Sequence, residues 1–147
     1  MKLYSWNVNG IRAAEKKGFL DWLDETQPDV VCLQETKARV DQLGSSLIED
    51  HGYHTFWHSA EKAGYSGVAT FCKEEPHFVQ MGLGINRFDS EGRVLITEHD
   101  NFLLYTQIQK TNLFHNFQNK NNVEGYSLIY LIQADLLFEN HFVWPLI

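Results

Sequence analysis

Glu35 stands in the place most suited to chemistry in this chain of 147 residues. In the stretch DVVCLQETK, the apolar run Val30–Leu33 is typical of a buried strand, and the carboxylate of Glu35 follows closely after it. Asn7 and Asn9 stand in a similar place, at the end of an earlier strand-like run. A hard cation such as Mg²⁺ takes oxygen ligands and keeps several waters, so one carboxylate can anchor it beside a phosphate. Asparagine adds a donor and an acceptor that can orient a carboxylate or a phosphoryl oxygen.

These residues also have a simpler interpretation. Glu35 could be a solvated carboxylate that closes a strand and pairs with Lys37. Asn9 precedes Gly10, and Asn-Gly is a common turn sequence. Residue types and spacing therefore leave two alternatives open, a metal site and ordinary strand-end chemistry.

The elements around these residues decide whether they can meet. Lys2–Val8 is predicted to be a strand, Ala14–Thr26 a helix and Val30–Leu33 a second strand, which together make a β-α-β unit. The two strands of such a unit run parallel with a right-handed crossover, so their carboxyl ends share one edge of the sheet. We therefore expect Asn7, Asn9 and Glu35 to lie in one crevice.

The rest of the first 106 residues predicts one more helix and then a run of strands. The second helix is expected at Arg39–Asp50. The strands are expected at Tyr53–His58, Gly67–Cys72, His77–Gly82, Arg93–His99 and Phe102–Ile108, the last two as a hairpin. This order predicts an α/β layered protein with a mixed sheet.

Composition limits the kind of protein. With 44% hydrophobic and 21% charged residues, the chain is expected to be one soluble domain. The net charge of -7 argues against a non-specific basic coat for nucleic acid, although a divalent metal could still bind phosphate locally. No apolar run is long enough to span a bilayer, and the predicted location is cytoplasmic, without a membrane partner. Cys32 and Cys72 lie in strand-like runs and are expected to be buried, reduced thiols.

Two further segments are weaker candidates for phosphate contacts. Gly64 and Tyr65, in GYSG, could bring backbone N–H groups and an aromatic face to a phosphate chain, although most such sequences are ordinary loops. Arg93 could reach a phosphate, although an arginine that opens a strand is more often structural.

Four motifs together resemble a known family. SWNVNGIRA, LQETK, GYSGVA and EGRVLITE occur in this order. In order and spacing they resemble the N-terminal half of the exodeoxyribonuclease III family of apurinic/apyrimidinic endonucleases. The resemblance covers roughly Met1 to Thr106. It implies a DNase I-like α/β sandwich, represented here by its N-terminal half with one mixed sheet and flanking helices.

The resemblance also implies a function. Such enzymes are Mg²⁺- or Mn²⁺-dependent phosphodiesterases that cut DNA on the 5′ side of abasic sites, and many also act on 3′ ends. It implies that Glu35 binds the metal. It also implies that Asn7 belongs to the catalytic cluster and is a second contact, either to the metal or to the group that activates water. Asn9 occupies a position that is often acidic in relatives. DNA is the implied partner, no protein partner is implied, and the residues that would contact the DNA backbone are Gly64, Tyr65 and Arg93.

Residues 107–147 depart from this pattern. The segment is rich in Asn, lacks Arg, and has none of the later family motifs, namely a catalytic tyrosine, GDxN and SDH. Asp135 and His141 have other sequence contexts, so neither receives a role. We expect an atypical tail, for instance from a frameshifted or truncated reading frame. Two alternative functions therefore stand beside a DNA nuclease: a non-catalytic remnant that is unstable or binds metal or DNA weakly, and a lipid or inositol phosphoesterase, which GYSG disfavours.

Overall fold

Two β-sheets pack face to face in the computed structural model, which describes residues 1–49, 51–108, 127–132 and 142–145. The described strands are β1 (Lys2–Asn7), β2 (Val30–Gln34), β3 (His54–His58), β4 (Val68–Cys72), β5 (Phe78–Met81), β6 (Val94–His99), β7 (Phe102–Gln107), β8 (Ser127–Ile132) and β9 (Phe142–Pro145). The first sheet has the order β3-β4-β2-β1-β9, and the second has the order β5-β6-β7-β8.

The first sheet contains the predicted β-α-β unit. β1 and β2 are parallel neighbours, with Asn7 opposite Gln34 in the register. β4 runs antiparallel to both β2 and β3. Gln34 extends β2 beyond the predicted end at Leu33, because its buried side chain donates from Nε2 to Ser5 Oγ at 3.0 Å. Both strands of the unit therefore deliver their last residues to the same edge.

The helices differ from the predicted ones. They are α1 (Ile11–Lys16), α2 (Phe19–Thr26), a 3₁₀ turn at Val40–Gln42, α3 (Ser45–Ile48) and α4 (Asn86–Asp89). The single helix predicted at Ala14–Thr26 is thus wrong, because Gly18 adopts a left-handed φ of 93° between α1 and α2. The helix predicted at Arg39–Asp50 is reduced to two short turns, because Gly44 is extended between them.

One apolar layer lies between the first sheet and its helices. Its members alternate along the strands, and its centre is an aromatic cluster of Trp6, Phe19, Trp22 and Phe71. Phe71 is fully buried, with its ring 5.5 Å from those of Phe19 and Trp57. This layer holds α2 against the sheet and fixes the path of the chain into β2.

A second layer lies between the two sheets. The opposite faces of β2 and β4 supply Cys32, Cys72 and Thr70 to it, while β7 supplies Leu104 and Thr106. The two threonine hydroxyl groups hydrogen-bond at 2.8 Å across the interface. The DNase I-like fold class is confirmed, and the first sheet is mixed, as predicted. β5, β6 and β7 fold over the first sheet as a second one, since their alternate apolar residues need a partner face.

The buried thiols give a testable pH dependence. Both cysteines are free and buried, and burial raises the pKa of Cys32 to about 12 and that of Cys72 even further. Because the folded-state pKa values lie above the unfolded ones, this contribution to stability is complete below about pH 8.5 and falls as pH rises toward 12. We expect the free energy of unfolding in urea to decrease above that pH. Iodoacetamide should label both thiols fast only in denaturant, and fast labelling of the native chain at pH 8 would contradict this burial.

Only part of the predicted tail lies in the part of the chain that the structure describes. β8 pairs parallel with β7, and β9 pairs antiparallel with β1. Asp135 and His141 lie outside the described residues. The proposed boundary at residue 106 and the origin of the tail remain predictions. Within the described ranges, no helix is long and apolar enough to cross a membrane.

Candidate functional site

Backbone hydrogen bonds join the loop after β1 to the loop after β2. Gly10 N–H donates to the carbonyl of Glu35 at 2.8 Å, and Ile11 N–H donates to the carbonyl of Thr36 at 2.9 Å. The parallel pairing of β1 and β2 thereby continues beyond the ends of the strands. The main chain around Glu35 is held in place without help from its side chain.

A third loop, before β4, closes the other side of Glu35. Thr36 N–H donates to Gly67 O at 3.0 Å, and Lys37 N–H donates to Ser66 O at 2.9 Å. Gly67 lies so close that an added Cβ would be 2.4 Å from Thr36 Oγ1, and its φ is +86°. A glycine is therefore required at this position. We call the set of residues 8–11, 35–37 and 66–67 the laced loops.

The side chains at the laced loops form a polar cluster around the Glu35 carboxylate. Asn7 Nδ2 donates to Glu35 Oε1 at 3.2 Å, and Lys37 Nζ lies 3.0 Å from Glu35 Oε2. Asn7 Oδ1 accepts from the backbone N–H of Asn9 at 3.0 Å, and Asn9 Oδ1 accepts from Lys37 Nζ. The structure thus brings together Asn7, Asn9 and Glu35, as the β-α-β geometry predicts. It also confirms the Glu35–Lys37 pair that the simpler interpretation expects.

Three members of this cluster have unusual backbone conformations. Asn9, Glu35 and Lys37 have φ values of 46°, 54° and 52°, in the left-handed region that non-glycine residues seldom adopt. Such conformations cost roughly 1–3 kcal/mol each and persist only where the surroundings impose them. Here the laced loops impose them. Local strain therefore fixes the direction of the Glu35 and Lys37 side chains.

The predicted phosphate contacts form a second cluster nearby. Arg93 Nη2 donates to Tyr65 Oη at 2.6 Å, and the guanidinium carbon lies 5.5 Å from the centre of the Tyr65 ring. Arg93 Nε donates to Glu91, and Lys62 Nζ lies 5.2 Å from the same ring. The segment from Gly64 to Gly67 connects this cluster to the laced loops.

A groove of about 550 Å³ lies beside the laced loops and carries three cationic side chains. Arg12 and Lys16 on α1 line it together with Lys37, and Gly10, Thr36 and Gly64 complete the wall nearest the cluster. One acidic residue, Glu15, also lines the groove, and its carboxylate accepts from Ser46 Oγ at 2.7 Å. Arg12 and Lys16 were not among the site residues predicted from the sequence. Their signal is the i, i+4 spacing, which places two cations on the same face of a helix.

These observations define a class of protein. It is a DNase I-like α/β sandwich with a carboxylate at the carboxyl edge of its first sheet, beside a cationic groove. The chain belongs to the endonuclease/exonuclease/phosphatase family, which it matches over residues 4–144.

Known relatives are similar over the first part of the chain. An exodeoxyribonuclease of Bacillus subtilis is 47% identical over 107 residues, which cover 72% of this chain and 41% of that protein. The DNA repair nuclease APEX1 of Danio rerio is 46% identical over 108 residues, covering 72% and 35% of the two chains. These matches confirm the resemblance predicted from the four motifs. The chain spans less than half the length of these curated relatives.

A solved structure supports the fold. The 3′ phosphatase NExo from Neisseria, solved bound to product DNA hairpin, superposes with a TM-score of 0.61 at 27% identity, over 71% of this chain and 40% of that one. The predicted fold class therefore agrees with both the topology and this comparison.

The donor atoms of the polar cluster can be compared with the ligands that a metal ion requires. Metal dependence is a property of the family. Among the described residues, no group of three or more His, Cys, Asp or Glu side chains could enclose an ion. The cluster instead offers hard oxygen atoms from Glu35, Asn7 and Asn9. Such a set fits an ion like Mg²⁺, which keeps several waters and takes phosphate oxygens from a substrate, and does not fit zinc.

Proposed function

We propose that this chain belongs to a metal-dependent DNA phosphodiesterase that acts at abasic sites and at 3′ ends, with Mg²⁺ or Mn²⁺ as cofactor. The observation that carries the proposal is the position of Glu35. Its carboxylate is anchored by Asn7 at the edge of the sheet and lies next to a groove lined by Arg12, Lys16 and Lys37. A site for a cation and a site for a polyanion thus adjoin each other, which phosphodiester hydrolysis needs.

Each side chain near the edge has a role in this proposal. Glu35 would hold the metal, whose chemistry is to polarise the phosphoryl oxygen and lower the pKa of a bound water. Asn7 keeps the carboxylate in place through Nδ2, and its Oδ1 is the predicted second contact to the ion. Arg12 and Lys16 neutralise phosphates in the groove, so strand binding should weaken with salt.

Tyr65 and Arg93 fit a contact with the DNA backbone. Arg93 uses Nε for Glu91 and one N–H of Nη2 for Tyr65, so the remaining donors of the guanidinium can bind a phosphate in a bidentate manner. The two contacts fix the plane of the guanidinium before any ligand binds. Gly64, with its left-handed φ of 68°, brings the backbone of the same loop to the groove.

A non-catalytic role is the second candidate. The described residues place one carboxylate, that of Glu35, in the polar cluster, and the chain spans 41% of its Bacillus relative. Hydrolysis also needs a group that activates water. A chain without such a group would keep weak binding of metal and DNA, since Glu35 and the groove remain.

An assay with defined DNA separates the two candidates. We expect the purified chain with Mg²⁺ to cut a duplex that carries one abasic site, on its 5′ side, and EDTA to stop the reaction. A duplex of the same sequence without the lesion is the control, and it should lose only nucleotides at 3′ ends. A folded chain, verified by circular dichroism, that binds the abasic duplex but never cuts it would support the non-catalytic role.

A further inference from the structure

We infer that Lys37 is a resident counter-cation of Glu35, and that a divalent metal enters this site together with a phosphate group that takes over the Lys37 ammonium. The inference rests on the proposed function and concerns the order in which the site is filled. Its starting observation is that the Glu35 carboxylate is engaged at both oxygens. Oε1 accepts from Asn7 at 3.2 Å, and Oε2 lies 3.0 Å from Lys37 Nζ.

The Lys37 ammonium is held from two loops at once. It contacts Glu35 Oε2 from its own loop and Asn9 Oδ1 from the loop after β1. The side chains of Glu35 and Lys37 are only 26% and 33% exposed, so water screens their attraction incompletely. Asn9, Glu35 and Lys37 all have left-handed φ values, and their side chains meet at the Lys37 ammonium. The ammonium therefore occupies a place built for a cation.

The formal charges explain why the Glu35–Lys37 pair opposes the binding of a metal ion. Glu35 and Lys37 carry opposite charges, and Asn7 and Asn9 are neutral, so these four side chains together carry no net formal charge. The affinity of oxygen sites for hard cations depends strongly on the number of negative ligands. A metal that binds alone must displace the ammonium from Oε2 and leave it without a carboxylate partner.

A phosphate group in the groove offers the Lys37 ammonium an alternative partner. Lys37 lines it beside Arg12 and Lys16, so a phosphate that enters lies within reach of the ammonium. Lys37 then turns from Glu35 to the phosphate, and Oε2 becomes open to the metal. Each ligand thereby favours the other, and by thermodynamic linkage the effect is reciprocal. Lys37 thus weakens metal binding when the site is empty, and metal binding tightens when DNA is present.

Metal binding can be measured apart from catalysis. The test is a Mn²⁺ titration that follows the free ion by electron paramagnetic resonance. Without DNA, we expect Lys37→Gln to tighten Mn²⁺ binding by about fivefold or more, because the competitor is gone. Lys17→Gln is the matched control, since it removes the same charge at an exposed lysine after α1 that does not line the groove, and it should change binding by less than about twofold.

A second arm tests the joint entry. An undamaged DNA duplex with phosphorothioate ends should tighten Mn²⁺ binding to the wild-type chain by about fivefold or more, and this gain should shrink in Lys37→Gln. If Lys37→Gln binds Mn²⁺ no more tightly than the wild type, Lys37 is not a counter-cation of Glu35. If the duplex leaves the Mn²⁺ affinity of the wild-type chain unchanged, the metal and the phosphate do not enter together. If both effects occur but no abasic DNA is cut, the inference stands and the proposed catalysis fails. Thermal melts of both variants verify that each is folded.

Discussion

Replacing Glu35 by glutamine should lower Mg²⁺-dependent cleavage of abasic DNA by about two to three orders of magnitude, because a metal bound by one carboxylate loses several kcal/mol of transition-state stabilisation. Glutamine keeps the size of the side chain and can still accept from Asn7 Nδ2 through its amide oxygen. The variant therefore removes the charge and leaves the local packing in place. Initial rates at several Mg²⁺ concentrations are the measurement.

The control for this prediction is Glu25→Gln. Glu25 is an exposed glutamate of α2, away from the laced loops, so its loss changes the net charge equally and should leave the rate within about twofold. Loss of the Glu35–Lys37 pair should cost about 1 kcal/mol of stability or less, since both groups are partly solvated. A Glu35→Gln chain that melts like the wild type and cuts at the wild-type rate would remove Glu35 from the proposed metal site.

Substituting Gly67 by alanine should destabilise the chain by about 2–4 kcal/mol. Two effects add up. The residue must hold a φ of +86°, and its new Cβ would lie 2.4 Å from Thr36 Oγ1, so the loop that carries Glu35 has to move. The free energy of unfolding in urea measures the loss of stability. The movement of the loop that carries Glu35 is measured by the Mn²⁺ affinity in the presence of DNA, which should also fall.

Gly84→Ala separates backbone strain from the close contact. Gly84 has a similar φ of +75°, but nothing lies within 4 Å of its added Cβ. We expect that variant to lose only about 1 kcal/mol, the cost of the conformation alone. If both variants lose the same free energy of unfolding, the Thr36 side chain can move away from the new Cβ at no cost. The close approach of the third loop would then contribute nothing to stability.

The elements next to the site follow from local patterns in the sequence. A continuous apolar run such as Val30–Leu33 is covered on both faces in the structure, as is typical of strands with a parallel neighbour. The predicted order of strand, helix and strand made the crossover predictable, and the crossover in turn placed Asn7 beside Glu35. Helix interruptions were not predictable, because Gly18 and Gly44 act through backbone conformations that one sequence does not reveal.

Other features depend on contacts between distant segments. β5, β6 and β7 were predicted as strands, yet strand patterns alone do not say whether they extend the first sheet or cover it. The hydroxyl pair of Thr70 and Thr106 and the apolar layer around it show that they cover it. Likewise, Arg12 and Lys16 belong to the groove only because α1 packs beside Lys37. The roles of Glu35, Asn7, Gly64, Tyr65 and Arg93 stay predictions until the assays are done.

The laced loops have a consequence for hydrogen exchange. The amide protons of Gly10, Ile11, Thr36 and Lys37 are donated across three different loops, so none can open without breaking bonds to a neighbour. Loop amides usually exchange within the fastest class, but these should exchange as slowly as the strands to which they are attached. The edge of the first sheet that carries Glu35 would then unfold in the same cooperative unit as the core. Any adaptation to the shape of a bound strand would have to come from α1, from the Tyr65 loop and from side-chain rotation.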